Sequence, residues 1–160
     1  MLDSETQAFL QTGVSISLAA CNAARLACMS RGMGCKVLDG GGRMAVFIKR
    51  SQAQELLDNI AANGKVACVF SLPSSNRTLQ LKGADAVVQA FDPVDMAIVA
   101  HHVDEFVLEV VPLGMAEQVV RTVFACTLDD LATVVFSASA VFSQTPGPKA
   151  GEPVGGASAS

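Results

Sequence analysis

Lys49, Arg50 and Ser51 stand where an apolar run, Met44 to Ile48, gives way to residues with helical spacing. Gln54 follows Ser51 by three residues, the pattern of a capping box, whose two side chains satisfy backbone N–H groups at a helix start. Ala53, Leu56, Leu57, Ile60 and Ala61 then recur on one helical face, and Asn63-Gly64 tolerates the left-handed turn that ends a helix. This spacing predicts a helix over 52–63. Its first turn offers unpaired backbone N–H groups and the positive end of the helix dipole. Beside two cations and a hydroxyl, that end suits an anion such as a phosphate. The same residues also describe a plain capped helix with solvated cations, and both readings stay open at this point.

Few other residues offer chemistry. His101 and His102 are the only histidines, and neighbouring helical positions point apart, which favours an exposed helical face over a metal or haem role. The five cysteines, Cys21, Cys28, Cys35, Cys68 and Cys126, form no C-x-x-C pair and are expected as reduced thiols of the core. No G-x-S-x-G, Walker-type or H-E-x-x-H motif occurs. Asp39-Gly40-Gly41-Gly42 precedes a strand-like run rather than a helix, so it is expected as a hairpin turn.

The elements that must position these residues alternate between two periods. A short helix is expected over 3–12, and Val14, Ile16 and Leu18 alternate with polar or small residues as in a half-buried strand. Cys21 to Ala24 turns the chain into a second extended stretch ending near Leu38. Strands follow over 44–48 and 66–72, then an extended stretch over 77–91 with Gly83 as a bend. Helices are expected after Asp92-Pro93 and over 113–125, and a closing strand over 133–142. This order predicts an antiparallel barrel or closed sheet, mainly β with α. Strands apolar on both faces need cover outside as well as inside, from helices and from a second copy of the chain.

Composition sets the outer bounds. The 160 residues suit one domain, and with 51% apolar and 16% charged residues they bury a sizeable core. We expect a domain over 1–143 and, because Gln144 to Ser160 is rich in Pro, Gly, Ala and Ser, a flexible tail over 144–160. Residues 1–11 have neither a basic start nor an apolar run, and no apolar stretch is long enough for a membrane helix, so a cytoplasmic protein is expected. The net charge of −4 is uneven: residues 25–82 hold nine basic and three acidic residues, residues 83–160 two basic and ten acidic. An acidic chain argues against nucleic acid, while its basic half suits a small anionic ligand.

Together the two strands, the hairpin "DGGGRMAVFI", the segment "KRSQAQELLDNIAANGKVACVFS" and the stretch "NRTLQLKGADAVV" resemble the pyridoxamine 5'-phosphate oxidase-like FMN-binding split barrels. The likeness covers Thr12 to Ala90 and rests on the order and spacing of the pieces. It implies an α+β fold, an antiparallel split β-barrel with flanking helices, and a homodimer with FMN at its interface. It also implies cofactor-binding roles for Arg31, Lys36, Phe47, Ile48, Ser51, Gln52, Arg77 and Thr78. Lys49 and Arg50 stand before the serine, where relatives more often place cations after it, yet they can reach the same phosphate. The segment that grips pyridoxal in true pyridoxamine phosphate oxidases has no counterpart here, so that substrate is not assigned.

The resemblance implies a flavin-dependent oxidoreductase acting on an unidentified small molecule. Two alternatives remain at the level of sequence. One is a non-catalytic binder of FMN, a deazaflavin or haem. The other is a cofactor-free dimeric interaction module.

Overall fold

The computed structural model describes residues 1–154. It contains eight strands: β1 (Ser15–Cys21), β2 (Ala27–Leu38), β3 (Arg43–Lys49), β4 (Val66–Ser71), β5 (Thr78–Gly83), β6 (Val87–Ala90), β7 (Leu131–Ser137) and β8 (Ala140–Ser143). Four helices flank them: α1 (Ser4–Leu10), α2 (Arg50–Asn63), α3 (Met96–Val110) and α4 (Glu117–Val123). The strands form one antiparallel sheet in the order β6-β7-β3-β2-β1-β4-β5-β8.

Three long runs make the sheet curl. The front of β2 pairs with β1, and past an irregularity at Gly32 and Gly34 its back half pairs with β3. β5 leads through a short bend into β6, and β7 turns at Ala138 and Ser139 into β8. Both runs therefore pass from one half of the sheet to the other. They meet where the backbone N–H of Ser139 donates to Lys82 O at 2.8 Å and that of Ser137 donates to Asp85 Oδ1 at 2.9 Å. The ladder is interrupted there: β5 pairs with β8 and β6 with β7 on either side of the split, and the sheet ends at β6 and β8, which corrects the closed sheet expected from the pattern.

Two apolar clusters result. Ile16, Leu18, Met44, Val46, Ile48, Cys68, Phe70, Leu81, Val134 and Phe136 fill the barrel, with α1 and α2 contributing Leu10, Leu56 and Ile60. Outside β3 and β7, Met33, Phe47 and Leu131 pack against Val99, Val103, Phe106 and Val107 of α3 and Val120 and Phe124 beside it. The outer cover of β3 and β7 thus comes from the chain's own helices. A different face stays open: Ser17, Ala19, Ala67, Val69 and Gln80, outward on β1, β4 and β5, are only half-buried.

Residues 144–154, assigned by composition to the flexible tail, turn back along β8. Gly151 N donates to Ser143 O, Val154 N to Val141 O, and Phe142 bridges Pro153. The rest of that expectation, for 155–160, lies outside the described residues. Among the described residues no helix is long and apolar enough to cross a membrane.

Candidate anion-binding site

Helix α2 starts earlier than its spacing predicts, and its cap is different. Lys49 is the N-cap residue and makes no side-chain cap bond, while Ala53 departs from helical geometry at φ −135° and ψ 18°. Ser51 does not close a capping box. Its backbone N–H donates to Asp130 Oδ1 at 2.8 Å and its hydroxyl to Asp130 Oδ2 at 2.6 Å. Gln54 turns to Asp58 instead. Because the helix already begins at Arg50, Ser51 lies inside the first turn rather than at the cap, and a carboxylate 79 residues away in sequence accepts from both of its donors. At the far end the pattern holds: Gly64 adopts φ 67° and donates to Ile60 O.

The two cations before Ser51 reach the same segment as Asp130. Lys49 Nζ donates to Ala125 O at 2.7 Å, and Arg50 Nε to Leu131 O at 3.2 Å. The pairing of β3 with β7, which sets Lys49 opposite Leu131, brings residues 125–131 over the start of α2. Arg31 joins from β2, beside the Gly32–Ile48 pair, with its guanidinium 5.5 Å from the Phe124 ring. Ser30 donates weakly to Gln52 O at 3.5 Å. Arg31 and Gln52 are exposed, Lys49 and Arg50 half-buried. The hydrogen bonds from the Ser51 side chain and backbone, with Lys49 and Arg50 nearby, hold the Asp130 carboxyl below its ordinary range. This corner favours a negative charge, and in this chain Asp130 supplies one.

Of the ten cofactor residues expected from sequence, five meet here: Arg31, Lys49, Arg50, Ser51 and Gln52. Phe47 and Ile48 are fully buried, the first against α3 and the second inside the barrel. Lys36 lies five residues further along β2, about 16 Å at strand spacing. Its ammonium holds the buried Asp95 carboxylate at 2.8 and 2.6 Å and so pins the start of α3 to the sheet. Arg77 pairs with Glu5 at 2.9 Å and lies over the Phe9 ring. Thr78 pairs with Ser71 on β4, so β1 and β4 separate it from Arg31, about 14 Å across the sheet.

Sequence reading missed Asp130 and misjudged His102. Asp129-Asp130 follows Thr127 just before the last long strand, but only the neighbour of that strand decides what the carboxylates face. His102 is not on an exposed helical face: it is 6% exposed, stacked on Phe106 and edge-on to Phe124, while His101 is exposed. All five cysteines are free, and burial pushes the Cys35 thiol up to about 12. Among the described residues no group of three or more His, Cys, Asp or Glu is placed to hold a metal ion.

No family model and no curated protein matches the chain. Solved structures do. A candidate pyridoxamine 5'-phosphate oxidase from Lactobacillus delbrueckii superposes with a TM-score of 0.55 at 18% identity, over 88% of this chain and 93% of that one. The chain has the split-barrel fold. HupZ of Group A Streptococcus aligns over 94% of this chain and 100% of its own, with a TM-score of 0.55 at 14% identity. An F420 reductase gives 0.55 at 16% identity over 88% and 98%. At these identities the likeness is one of architecture; what this split barrel binds has to be argued from its own side chains.

Proposed function

We propose that this chain is a flavin-dependent oxidoreductase that binds FMN with its phosphate in the corner formed by Arg31, Lys49, Arg50 and Ser51. One observation carries the reading: donors from β2, β3 and α2 converge on a single corner, where a carboxylate already takes the backbone N–H and hydroxyl of Ser51. Phosphate oxygens accept the same hydrogen bonds, and paired cations strengthen them. The residues present therefore fit a phosphate group. Support also comes from the fold, shared with a candidate pyridoxamine 5'-phosphate oxidase and an F420 reductase.

In this reading Arg31, Lys49 and Arg50 neutralise the phosphate, and Ser51 orients it through two donors from one residue. The half-buried face of β1, β4 and β5 lies beside Arg31, which pairs with Ser17, and it would support the flavin ring under a second copy of the chain. FMN supplies the hydride and electron transfer; the protein contributes binding, orientation and exclusion of water. A deazaflavin with the same phosphate chemistry is the competing ligand.

Fluorescence anisotropy tests the proposal cleanly: a chain without Trp or Tyr lacks the aromatic quenchers that silence bound flavins, so the bound fraction can be read from its emission. FMN anisotropy should rise at micromolar protein, and riboflavin should bind far more weakly. Replacing Lys49 or Arg50 by Ala should weaken FMN roughly tenfold or more, the scale of a hydrogen bond to a charged group. If FMN anisotropy does not rise, or the alanine variants bind it as the parent does, the corner is not a flavin phosphate site. Turnover of NADH or NADPH by the loaded protein then separates an oxidoreductase from a carrier.

A further inference from the structure

Three residues of the corner spend four donors on one strap. Lys49 Nζ holds Ala125 O, Ser51 holds both oxygens of Asp130, and Arg50 Nε holds Leu131 O. The strap, residues 125–131, joins the end of α4 to β7 and includes a 3-10 turn over Leu128–Asp130. It is not part of the core at its middle: Thr127, Leu128 and Asp129 are exposed, and Leu128 is 48% exposed. Its ends are secured, by Phe124 in the cluster under α3 and by Leu131 in the β7 ladder. A segment tied at both ends and solvated between them can lift without unfolding either neighbour.

From this geometry we propose that the strap is autoinhibitory: Asp130 is an internal stand-in for the ligand's phosphate and must leave Ser51 before that phosphate can bind. The inference rests on the phosphate reading of the corner and adds its regulation. Ser51 has one backbone N–H and one hydroxyl proton, and the carboxylate uses both, so carboxylate and phosphate compete for the same donors. The apparent affinity of the corner is then reduced by the fraction of molecules in which the strap is down. Asp129 is the built-in control. It is the adjacent carboxylate and exposed, and it makes no hydrogen bond to the corner among the described residues.

The test compares the parent protein with Asp130→Asn and Asp129→Asn, using FMN, riboflavin and inorganic pyrophosphate as probes. Asp130→Asn should bind FMN about tenfold tighter or more, the same change at Asp129 should alter affinity less than about threefold, and neither should change riboflavin binding. In the parent protein, saturating FMN should also speed amide exchange over 125–131, a readout that needs no variant. Equal FMN affinity in the parent and Asp130→Asn, or equal gains from both substitutions, overturns the strap while leaving the flavin reading intact. Absence of FMN binding in all three, with pyrophosphate still favouring Asp130→Asn, overturns the flavin reading and keeps the strap. If pyrophosphate does not discriminate either, both fall.

Discussion

His102 packs against the rings of Phe106 and Phe124, and its Nε2 is buried without a hydrogen-bond partner. Burial is the main reason its pKa falls from 6.5 to about 4, with His101 and Arg31 adding to the effect. The sign of the consequence is fixed by linkage. An unfolded chain takes up this proton near pH 6.5 and the folded chain only near 4, so the unfolded state binds more protons throughout that window. Stability should fall as pH drops from 6.5 towards 4, by about 2–3 kcal/mol between pH 7.5 and 4.5 from this residue alone. Thermal melts of the parent and of His102→Leu over that range check it: the variant should lose less on acidification, and parallel profiles would refute the assignment. Ser51 teaches the other lesson at this scale. A serine at the start of a helix is an obvious cap, yet its partner proved to be a carboxylate from a different element.

Strands β5 and β7 owe their crossing to one small residue. A Cβ on Gly83 would lie 2.7 Å from Phe136 Cδ2 and 3.0 Å from Ser137 O. Phe136 is 1% exposed inside the barrel and has nowhere to go. Gly83→Ala should therefore cost about 1–3 kcal/mol through overpacking at the split. In urea the midpoint should shift with little change in slope; an unchanged midpoint would show that the strands can part there without penalty. Gly83 was legible as a bend, and its role at the split depends on the approach of β7, more than fifty residues later. Helix α2 shows the same division. Its apolar face and Gly64 stop follow from local spacing, whereas the partner that Ser51 finds comes from 79 residues away.

At the scale of the whole molecule, the two halves of the barrel are covered differently. Helix α3 and residues near α4 close the outside of β3 and β7. The outer face of β1, β4 and β5 keeps a row of small and apolar side chains, with Ala19 opposite both Met29 and Ala67, and Ser17 opposite both Arg31 and Val69. Such a face, beside the cationic corner, is where a second copy is proposed to pack. Light scattering should find the parent dimeric, and Val69→Glu, which sets a charge in the middle of that face, should yield monomers with weaker FMN binding. A monomeric parent, or a dimer indifferent to the glutamate, would move the interface elsewhere.

Periodicity by itself determined most of the elements, because alternation and helical spacing are local properties that survive in any fold burying one face. The hairpin at Asp39–Gly42, the stop at Gly64 and the cationic start of α2 were equally readable from their own residues. Partnership was not. That Lys36 serves Asp95, that Arg77 serves Glu5, and that Asp130 sits on Ser51 depend on which strands become neighbours across 59, 72 and 79 residues of sequence. Charge and burial act over a few ångströms in space and carry no mark along the chain, so only the tertiary structure could separate the cations of the corner from those already committed elsewhere.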